Sequence, residues 1–288
     1  MKSANELLNL LDLVPIDATT FQGKSKTIGS PNVFGGQVLA QAVNAAYRTI
    51  TNQRVLHSLH AYFLEAGNLK VPIEFSVNEV RDGGSFSTRR VLASQNGKAI
   101  FILAASFHKE ESGYNHQIEM NTSLKQPEEL LSWTEMLEQF GHVLPELTKR
   151  FLEIERPITF KPVEVVNPLK KENLPPYSNV WFKLKQPVTD ATLAIKQQIL
   201  TYISDYNILA AALLPHASKA HFGNTQMASL DHSMWFFRDF DFDDWMLYSI
   251  ETPNASNARG FAKGNIFSRD GKLIASVAQE GLMRPMAK

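Results

Sequence analysis

Residues 94–104 read SQNGKAIFILA, and residues 268–278, which begin 174 positions later, read SRDGKLIASVA. Five of these eleven positions are identical. The same offset aligns the dipeptide YF at residues 62–63 with FF at residues 236–237. This period is far longer than the roughly 20–50 residues of solenoid and propeller repeats. The repeat therefore predicts a duplicated domain whose two copies pack against each other.

The composition limits the class of protein. A chain of 288 residues is long enough for two medium domains, each with its own core. The formal net charge is zero, which argues against a protein that binds nucleic acid by neutralising phosphates. The absence of cysteine excludes disulfides, thiolate catalysis and cysteine-ligated metals. Apolar runs such as residues 99–107 are too short to cross a bilayer, so we expect a cytoplasmic protein without membrane insertion.

Each copy is predicted to hold one long helix followed by several strands, because the apolar spacing changes from a helical to an alternating period. The first copy has a helix at residues 34–50 and strands at residues 55–64, 73–81, 87–94 and 99–108. The second copy has a helix at residues 191–214 and strands at residues 226–237, 245–252, 258–267 and 273–280. Asn-Gly at residues 96–97 and Asp-Gly at residues 270–271 predict matching hairpins.

The segment between the copies has a different character. Residues 128–153 alternate apolar and acidic side chains, which predicts one or two amphipathic helices. A helix followed by consecutive antiparallel strands, repeated once, indicates an α+β fold in which each sheet wraps a helix. We expect a first domain at residues 1–110, a helical linker at residues 111–155 and a second domain at residues 156–288.

The second copy has polar residues at positions where the first copy has small or apolar ones. Aligned hairpins put Gln279 opposite Ala105, and aligned helices put Asp205 opposite Gly35. Ser229 lies near the start of the second-copy strand predicted at residues 226–237. A buried carboxylate or carboxamide costs free energy unless it is hydrogen-bonded. The second copy is therefore predicted to hold a polar site. In the alternative interpretation, Asp205 faces solvent or caps a helix break, and Gln279 lies on an open sheet face.

Histidines offer weaker candidates. Asp231 and His232 resemble an acid/base pair, but adjacent residues on a strand point to opposite faces of the sheet. His57 and Ser106 also remain possible participants. No His, Asp and Glu cluster has the spacing of metal ligands, so no metal is expected.

Several segments of the chain resemble the acyl-CoA thioesterase II (TesB-type) family. In the first copy they are VFGGQV at 33–38, VLHSLHAYFL at 55–64 and RDGGSFSTRR at 81–90. In the second copy they are LDHSMWF at 230–236, ARG at 258–260 and QEGLMR at 279–284. The resemblance is collinear from about residue 7 to residue 284, which is nearly the whole chain.

The resemblance implies a double hotdog fold, in which each half wraps one long helix in an antiparallel sheet. It also implies hydrolysis of acyl-CoA to free fatty acid and CoA, without a cofactor. The family's catalytic Asp, Thr or Ser, and Gln fall on Asp205, Ser229 and Gln279. By analogy with hotdog enzymes, backbone N–H groups at Gly35 and Gly36 are expected to contact the substrate.

Three further expectations complete the interpretation. His57 is a candidate substrate-binding residue, acyl-CoA is the expected partner, and a homo-oligomer (a dimer or tetramer) is expected. Two alternatives stay open. One is a double hotdog enoyl-CoA hydratase, although Ile208 and Ala210 replace the Pro and His of that family's motif. The other is a non-catalytic acyl-CoA-binding protein, and an assay for thiol release separates all three.

Overall fold

The first half of the chain surrounds one long helix with antiparallel strands. The computed structural model describes residues 1–51, 53–167 and 169–286. The elements of the first half are α1 (Ala4–Leu11), β1 (Val14–Pro15), β2 (Thr20–Gly23), α2 (Gly35–Tyr47), β3 (Arg54–Phe63), β4 (Ile73–Asp82), β5 (Phe86–Gln95) and β6 (Lys98–Lys109). The predicted helix and all four predicted strands of this half are confirmed, with bounds that differ by three residues or fewer.

The linker segment forms two helices, α3 (Trp133–Phe140) and α4 (Glu146–Glu153). A capping box starts α3, because the Ser132 hydroxyl accepts the Glu135 N–H while the Glu135 carboxylate accepts the Ser132 N–H. Ahead of α3, linker side chains pack against a separate buried cluster of the second half that contains Trp181 and Leu247. The domain boundaries at residues 110 and 155 stay predictions.

The second half repeats the arrangement of a helix against a sheet. Its elements are β7 (Ile158–Pro162), β8 (Tyr177–Leu184), α5 (Leu193–Ser204), α6 (Ile208–Ala211), β9 (Thr225–Ser229), β10 (Asp231–Phe236), β11 (Met246–Ser256), β12 (Arg259–Ser268) and β13 (Leu273–Pro285). The α+β class predicted from the repeat is therefore confirmed. None of the helices in the described parts of the chain combines the length and the apolar character that crossing a bilayer requires.

The prediction of one continuous helix over residues 191–214 is wrong. Helix α5 ends at Ser204, and Asp205 is its C-cap. Asn207 has a φ of 68°, in the left-handed region that Asn tolerates better than most residues. This residue turns the chain before the short helix α6 begins. Asp205 thus lies at the end of a buried helix and not within it.

The predicted strand over residues 226–237 is divided at Leu230 into β9 and β10. Strand β13 pairs with both, with Gly281 opposite Ser229 and Ala278 opposite Ser233. Gln279 lies on β13 where one pairing gives way to the other. At this junction the Leu230 N–H donates to the Glu280 carbonyl oxygen at 2.9 Å. Because the strand is divided here, Ser229 lies beside Gln279. In one straight strand the two side chains would not lie together.

The two hairpins of the repeat differ in their loops. Asn96 and Gly97 both have positive φ, 50° and 76°, as a two-residue hairpin turn of the mirror-image type requires. In the second copy β12 ends at Ser268 and β13 begins at Leu273, and Gly271 has a φ of 88°. The second connection is therefore a longer loop, and the predicted match of the two turns holds for their position only.

One continuous sheet joins the halves. Its strand order is β1-β2-β4-β5-β6-β3-β10-β13-β12-β11-β8-β7, with β9 paired to β13 beside this path. Strands β3 and β10 form the join, with Leu59 opposite Met234. Helices α2 and α5 pack antiparallel inside the sheet, and the Asn44 side chain donates to Gln198 Oε1 at 2.9 Å between them. The N-terminus of α2 consequently meets the C-terminus of α5.

Candidate active site

Asp205 links the two halves of the molecule. Its Oδ2 accepts a hydrogen bond from the Gly36 N–H at 2.8 Å. Phe34, the N-cap of α2, makes no side-chain hydrogen bond to the helix, so the carboxylate from the other half satisfies one of the free N–H groups. The positive end of the α2 dipole also faces this carboxylate. The contact explains why an aspartate is tolerated at the end of a buried helix.

Burial changes the acidity of Asp205. Desolvation raises the pKa of its carboxyl from 3.8 to about 7, while hydrogen bonds from the Gln279 side chain and the Gly36 N–H act in the opposite direction. Near neutral pH the carboxyl therefore exists in both protonation states. A carboxylate with such a pKa can accept a proton from water at physiological pH, as a general base must.

Gln279 and Ser229 lie side by side at the junction of β9, β10 and β13. Gln279 is fully buried, and its Nε2 donates to Ser229 Oγ at 2.9 Å. The same amide is close enough to Asp205 to lower the pKa of that carboxyl. Ser229, the last residue of β9, is half-buried. The fold thus brings the three predicted catalytic residues to one place, with the Gln279 amide between the other two.

His232 lies behind Gln279 and was not assigned to the site from the sequence. Its Nδ1 is 2.5 Å from Gln279 Oε1, and its Nε2 is 3.0 Å from Ser204 Oγ. The histidine is fully buried, and desolvation lowers its pKa to about 4 against the effect of the Gln279 hydrogen bond. Asp231 points away and accepts the Glu280 N–H, so the prediction that Asp231 and His232 diverge is confirmed. The alternation of β10, with inward Met234 two residues later, carried the signal that His232 faces the core.

The glycines at the start of α2 permit the close approach of the halves. A Cβ on Gly35 would lie 2.8 Å from Asp205 Oδ2 and 3.0 Å from the Phe63 ring. A Cβ on Gly36 would lie 2.5 Å from the Tyr202 carbonyl oxygen. Both glycines therefore border Asp205, and the Gly36 N–H is bonded to it. Their assignment as substrate-binding residues stays a prediction.

His57 occupies a different environment. It sits at an irregularity in the pairing of β3 with β6, and its Nε2 is 2.8 Å from Ser106 Oγ. Its ring packs edge-on against Phe86 and His108. Burial and the two neighbouring histidines, His108 and His60, lower its pKa. The structure joins His57 to Ser106 and not to Gln279, and its role in substrate binding stays a prediction.

Residues 1–51, 53–167 and 169–286 contain no candidate metal site. No group of three or more His, Cys, Asp or Glu side chains there has an arrangement that could hold an ion.

A helix wrapped in an antiparallel sheet, present twice in one continuous sheet, defines a double hotdog protein. A solved structure from Alicyclobacillus acidocaldarius, described as having a hot dog fold, covers 96% of this chain and 97% of its own with a TM-score of 0.77. It is 15% identical, so the likeness concerns the fold alone. The expected fold is thereby confirmed.

Comparison with known families identifies the chain more closely. A family model described as acyl-CoA thioesterase matches residues 147–282, and one described as the acyl-CoA thioesterase N-terminal domain matches residues 22–108. Acyl-CoA thioesterase 2 of Haemophilus influenzae is 40% identical over 280 residues, 97% of each chain. The structure of the acyl-CoA thioesterase II TesB2 from Mycobacterium marinum is 34% identical, with a TM-score of 0.79 over 96% of this chain and 98% of its own. The chain belongs to the acyl-CoA thioesterase II family.

Proposed function

We propose that this protein hydrolyses acyl-CoA to a free fatty acid and CoA, through one water molecule held by Asp205, Ser229 and Gln279. Membership of the acyl-CoA thioesterase II family supports the reaction. The observation that carries the assignment of residues is the hydrogen bond from Gln279 to Ser229 beside a carboxyl whose pKa is about 7.

The chemistry follows from the proton each group can accept or donate. Asp205, when ionised, takes a proton from the water as its oxygen bonds to the thioester carbonyl carbon. The C–S bond then breaks, and the CoA thiolate leaves and takes up the proton held by Asp205, which returns the carboxylate to its ionised form. Ser229 holds the water in line with the carbonyl carbon, and the Gln279 amide holds Ser229 in place, which makes the attack effectively intramolecular.

Negative charge develops on the thioester oxygen during the attack and needs hydrogen-bond donors. In this proposal the oxygen binds near the N-terminus of α2, at Gly35 and Gly36, where the helix dipole favours negative charge. The Gly36 N–H donates a hydrogen bond to Asp205 Oδ2. Asp205 therefore has to share or release that N–H when the thioester binds, which couples proton acceptance to the oxyanion site.

A thiol-release assay tests the proposal. Purified protein is given saturated acyl-CoAs of graded chain length, and free CoA is detected with a thiol-reactive dye. We expect release with at least one chain length and a loss of about 100-fold or more in kcat for Asp205→Asn. Asp231→Asn is the matched control, because Asp231 is a nearby carboxyl whose oxygen accepts a backbone N–H, and an asparagine oxygen can do the same.

The outcomes are distinct. No release of CoA with any chain length contradicts the hydrolase, and a hydratase or a binding protein would then be favoured. Near-normal turnover by folded Asp205→Asn contradicts the role of Asp205.

The homo-oligomer and the cytoplasmic location are also proposals. Apolar side chains lie exposed on the outer sheet face of the first half, including Val55, Tyr62, Phe86 and Leu92. The linker covers the corresponding face of the second half near Trp181. Burial of the open face in a dimer or tetramer would remove this apolar surface from water. Analytical ultracentrifugation tests the oligomer, with a monomer as the contrary result, and cell fractionation tests the location.

A further inference from the structure

A chain of buried polar side chains runs behind the candidate active site. It begins at Ser204, passes through His232 and Gln279, and ends at Ser229. Ser204, His232 and Gln279 are fully buried, so none of them can exchange its hydrogen-bond partners with water. Ser204 also precedes Asp205 in the sequence, and the Tyr248 hydroxyl donates to the Ser204 carbonyl oxygen at 3.0 Å. The series thus begins at the residue before Asp205 and passes through Gln279, whose side chain lowers the pKa of the Asp205 carboxyl.

The Asp205 carboxylate determines the direction in which these hydrogen bonds are donated. The Gln279 amide has an oxygen end that accepts and a nitrogen end that donates. An ionised carboxylate only accepts, so the nitrogen end must face Asp205 and Ser229. The oxygen end then faces His232, and the nearest histidine atom, Nδ1 at 2.5 Å, must carry a proton.

The position of that proton determines the direction of the remaining hydrogen bond, between His232 and Ser204. Burial lowers the pKa of His232 to about 4, so the imidazole is neutral and carries one proton only. With the proton on Nδ1, Nε2 is an acceptor, and the Ser204 hydroxyl at 3.0 Å is its donor. Every group then donates in one direction, from Ser204 to His232 to Gln279 to Ser229.

We propose that His232 is a positioning residue of this enzyme, which acts through the amide of Gln279. The neutral imidazole, protonated on Nδ1, fixes the amide with its nitrogen toward the reacting groups. Because Ser229 Oγ accepts from Gln279, its own hydroxyl proton is directed onward, to the attacking water or the thioester oxygen. Asp205 is left as the group that accepts the proton of the water. This inference rests on the proposed hydrolysis and adds the source of its geometry.

If the hydrogen bonds ran in the opposite direction, the wrong end of the Gln279 amide would face Asp205. Ser204 Oγ also lies 2.8 Å from the Thr201 carbonyl oxygen, so its proton has a second possible acceptor. If Ser204 donated there, His232 would carry its proton on Nε2, and Nδ1 would require a donor from Gln279. The Gln279 oxygen would then face the Asp205 carboxylate, and two acceptors would repel each other. The two directions therefore differ in an observable, the tautomer of His232.

Nitrogen-15 NMR of protein labelled in its histidine rings measures this tautomer directly. At about pH 9, where Asp205 is ionised, we expect the His232 proton on Nδ1. A proton on Nε2 overturns the proposal. The measurement needs no substitution at His232, so it decides the question whether or not a variant folds.

Substitutions test the consequence for catalysis. We expect His232→Leu to lower kcat about 10–100-fold with KM changed by less than about threefold, because the amide is misplaced while substrate contacts remain. We expect His232→Asn to recover most of that loss, since its side-chain N–H can occupy the position of Nδ1. Gln95→Leu is the control for loss of a buried hydrogen-bonding group, because Gln95 holds a loop in the first half. That control should lose stability and keep its kcat.

Two results would show that His232 is merely structural. One is a kcat of folded His232→Leu within about twofold of the wild type, and the other is an equal loss in the Leu and Asn variants. The activities of the Asp205 and His232 variants together distinguish failure of the positioning role from failure of the proposed function. If Asp205→Asn is inactive while His232→Leu is active, only the positioning role is wrong. If Asp205→Asn is active, the proposed hydrolytic site itself is wrong.

Discussion

Replacement of Gly35 by alanine tests how narrowly the carboxylate of Asp205 is positioned. The added Cβ would lie 2.8 Å from Asp205 Oδ2, whereas ordinary contact begins near 3.4 Å, so the oxygen has to retreat by about 0.6 Å. The Phe63 ring lies 3.0 Å from the same Cβ position, so the site is already crowded by a second group. A displacement of this order at a reacting group lowers a rate by about 10–100-fold. We therefore expect Gly35→Ala to lose that factor in kcat.

The stability of Gly35→Ala should change little. Alanine is favoured over glycine in a helix by up to about 1 kcal/mol, which offsets part of the strain of the new contact. Gly84→Ala is the neutral control, because a Cβ there meets no atom within 4 Å. Gly36→Ala is the contrasting variant, since its Cβ meets the Tyr202 backbone carbonyl at 2.5 Å and should destabilise the packing of the helices.

The assay is steady-state thiol release together with urea unfolding for the three glycine variants. If Gly35→Ala keeps wild-type kcat at wild-type stability, the carboxylate does not need the position that the structure gives it, and the reasoning is refuted.

Two further predictions concern Asp205 and pH. We expect kcat to decline about tenfold per pH unit below about pH 7 and to level off above it, because the base must be ionised and burial raises its pKa to about 7; a flat profile between about pH 5 and pH 8 would contradict this. The same pKa increase means that the folded protein binds this proton more tightly than the unfolded chain, so stability falls as pH rises from about 4 to 7. Asp205→Asn removes that loss and should be more stable than the wild type at about pH 8, by up to about 4 kcal/mol, and little different at about pH 4. Urea midpoints at the two pH values check this, and a less stable variant at the higher pH would count against it.

The sequence predicted the parts of the fold that depend on local patterns. Asn96 and Gly97 specify a turn by their own conformational preferences, and the apolar period of residues 34–50 specifies a buried helix. The break after Ser204 was missed because apolar residues continue at helical spacing on both sides of it. What ends the helix is the left-handed Asn207 together with the Asp205 carboxylate, which caps α2 of the other half. Such a contact, 169 positions distant along the chain, has no local signature.

The candidate active site likewise combines features that the sequence shows locally and contacts that it does not. The comparison of the two copies singled out Asp205, Ser229 and Gln279, because a polar residue in an otherwise apolar repeat is visible in the sequence. The role of His232, which lies behind Gln279, was not visible in the sequence in the same way. The first copy also has a histidine, His57, in the matching strand, so the presence of a histidine is not by itself a difference between the copies. Only the burial of His232 and its distance of 2.5 Å from Gln279 distinguish the two.

The central claim is that a water molecule attacks the thioester directly while Asp205 takes its proton. Hydrolysis in water enriched in oxygen-18, with enzyme in excess so that each molecule acts once, tests this claim. Direct attack places one labelled oxygen in the fatty acid and none in the protein. Unlabelled fatty acid together with label in the Asp205 side chain would show that the carboxylate itself attacks, and would contradict the account.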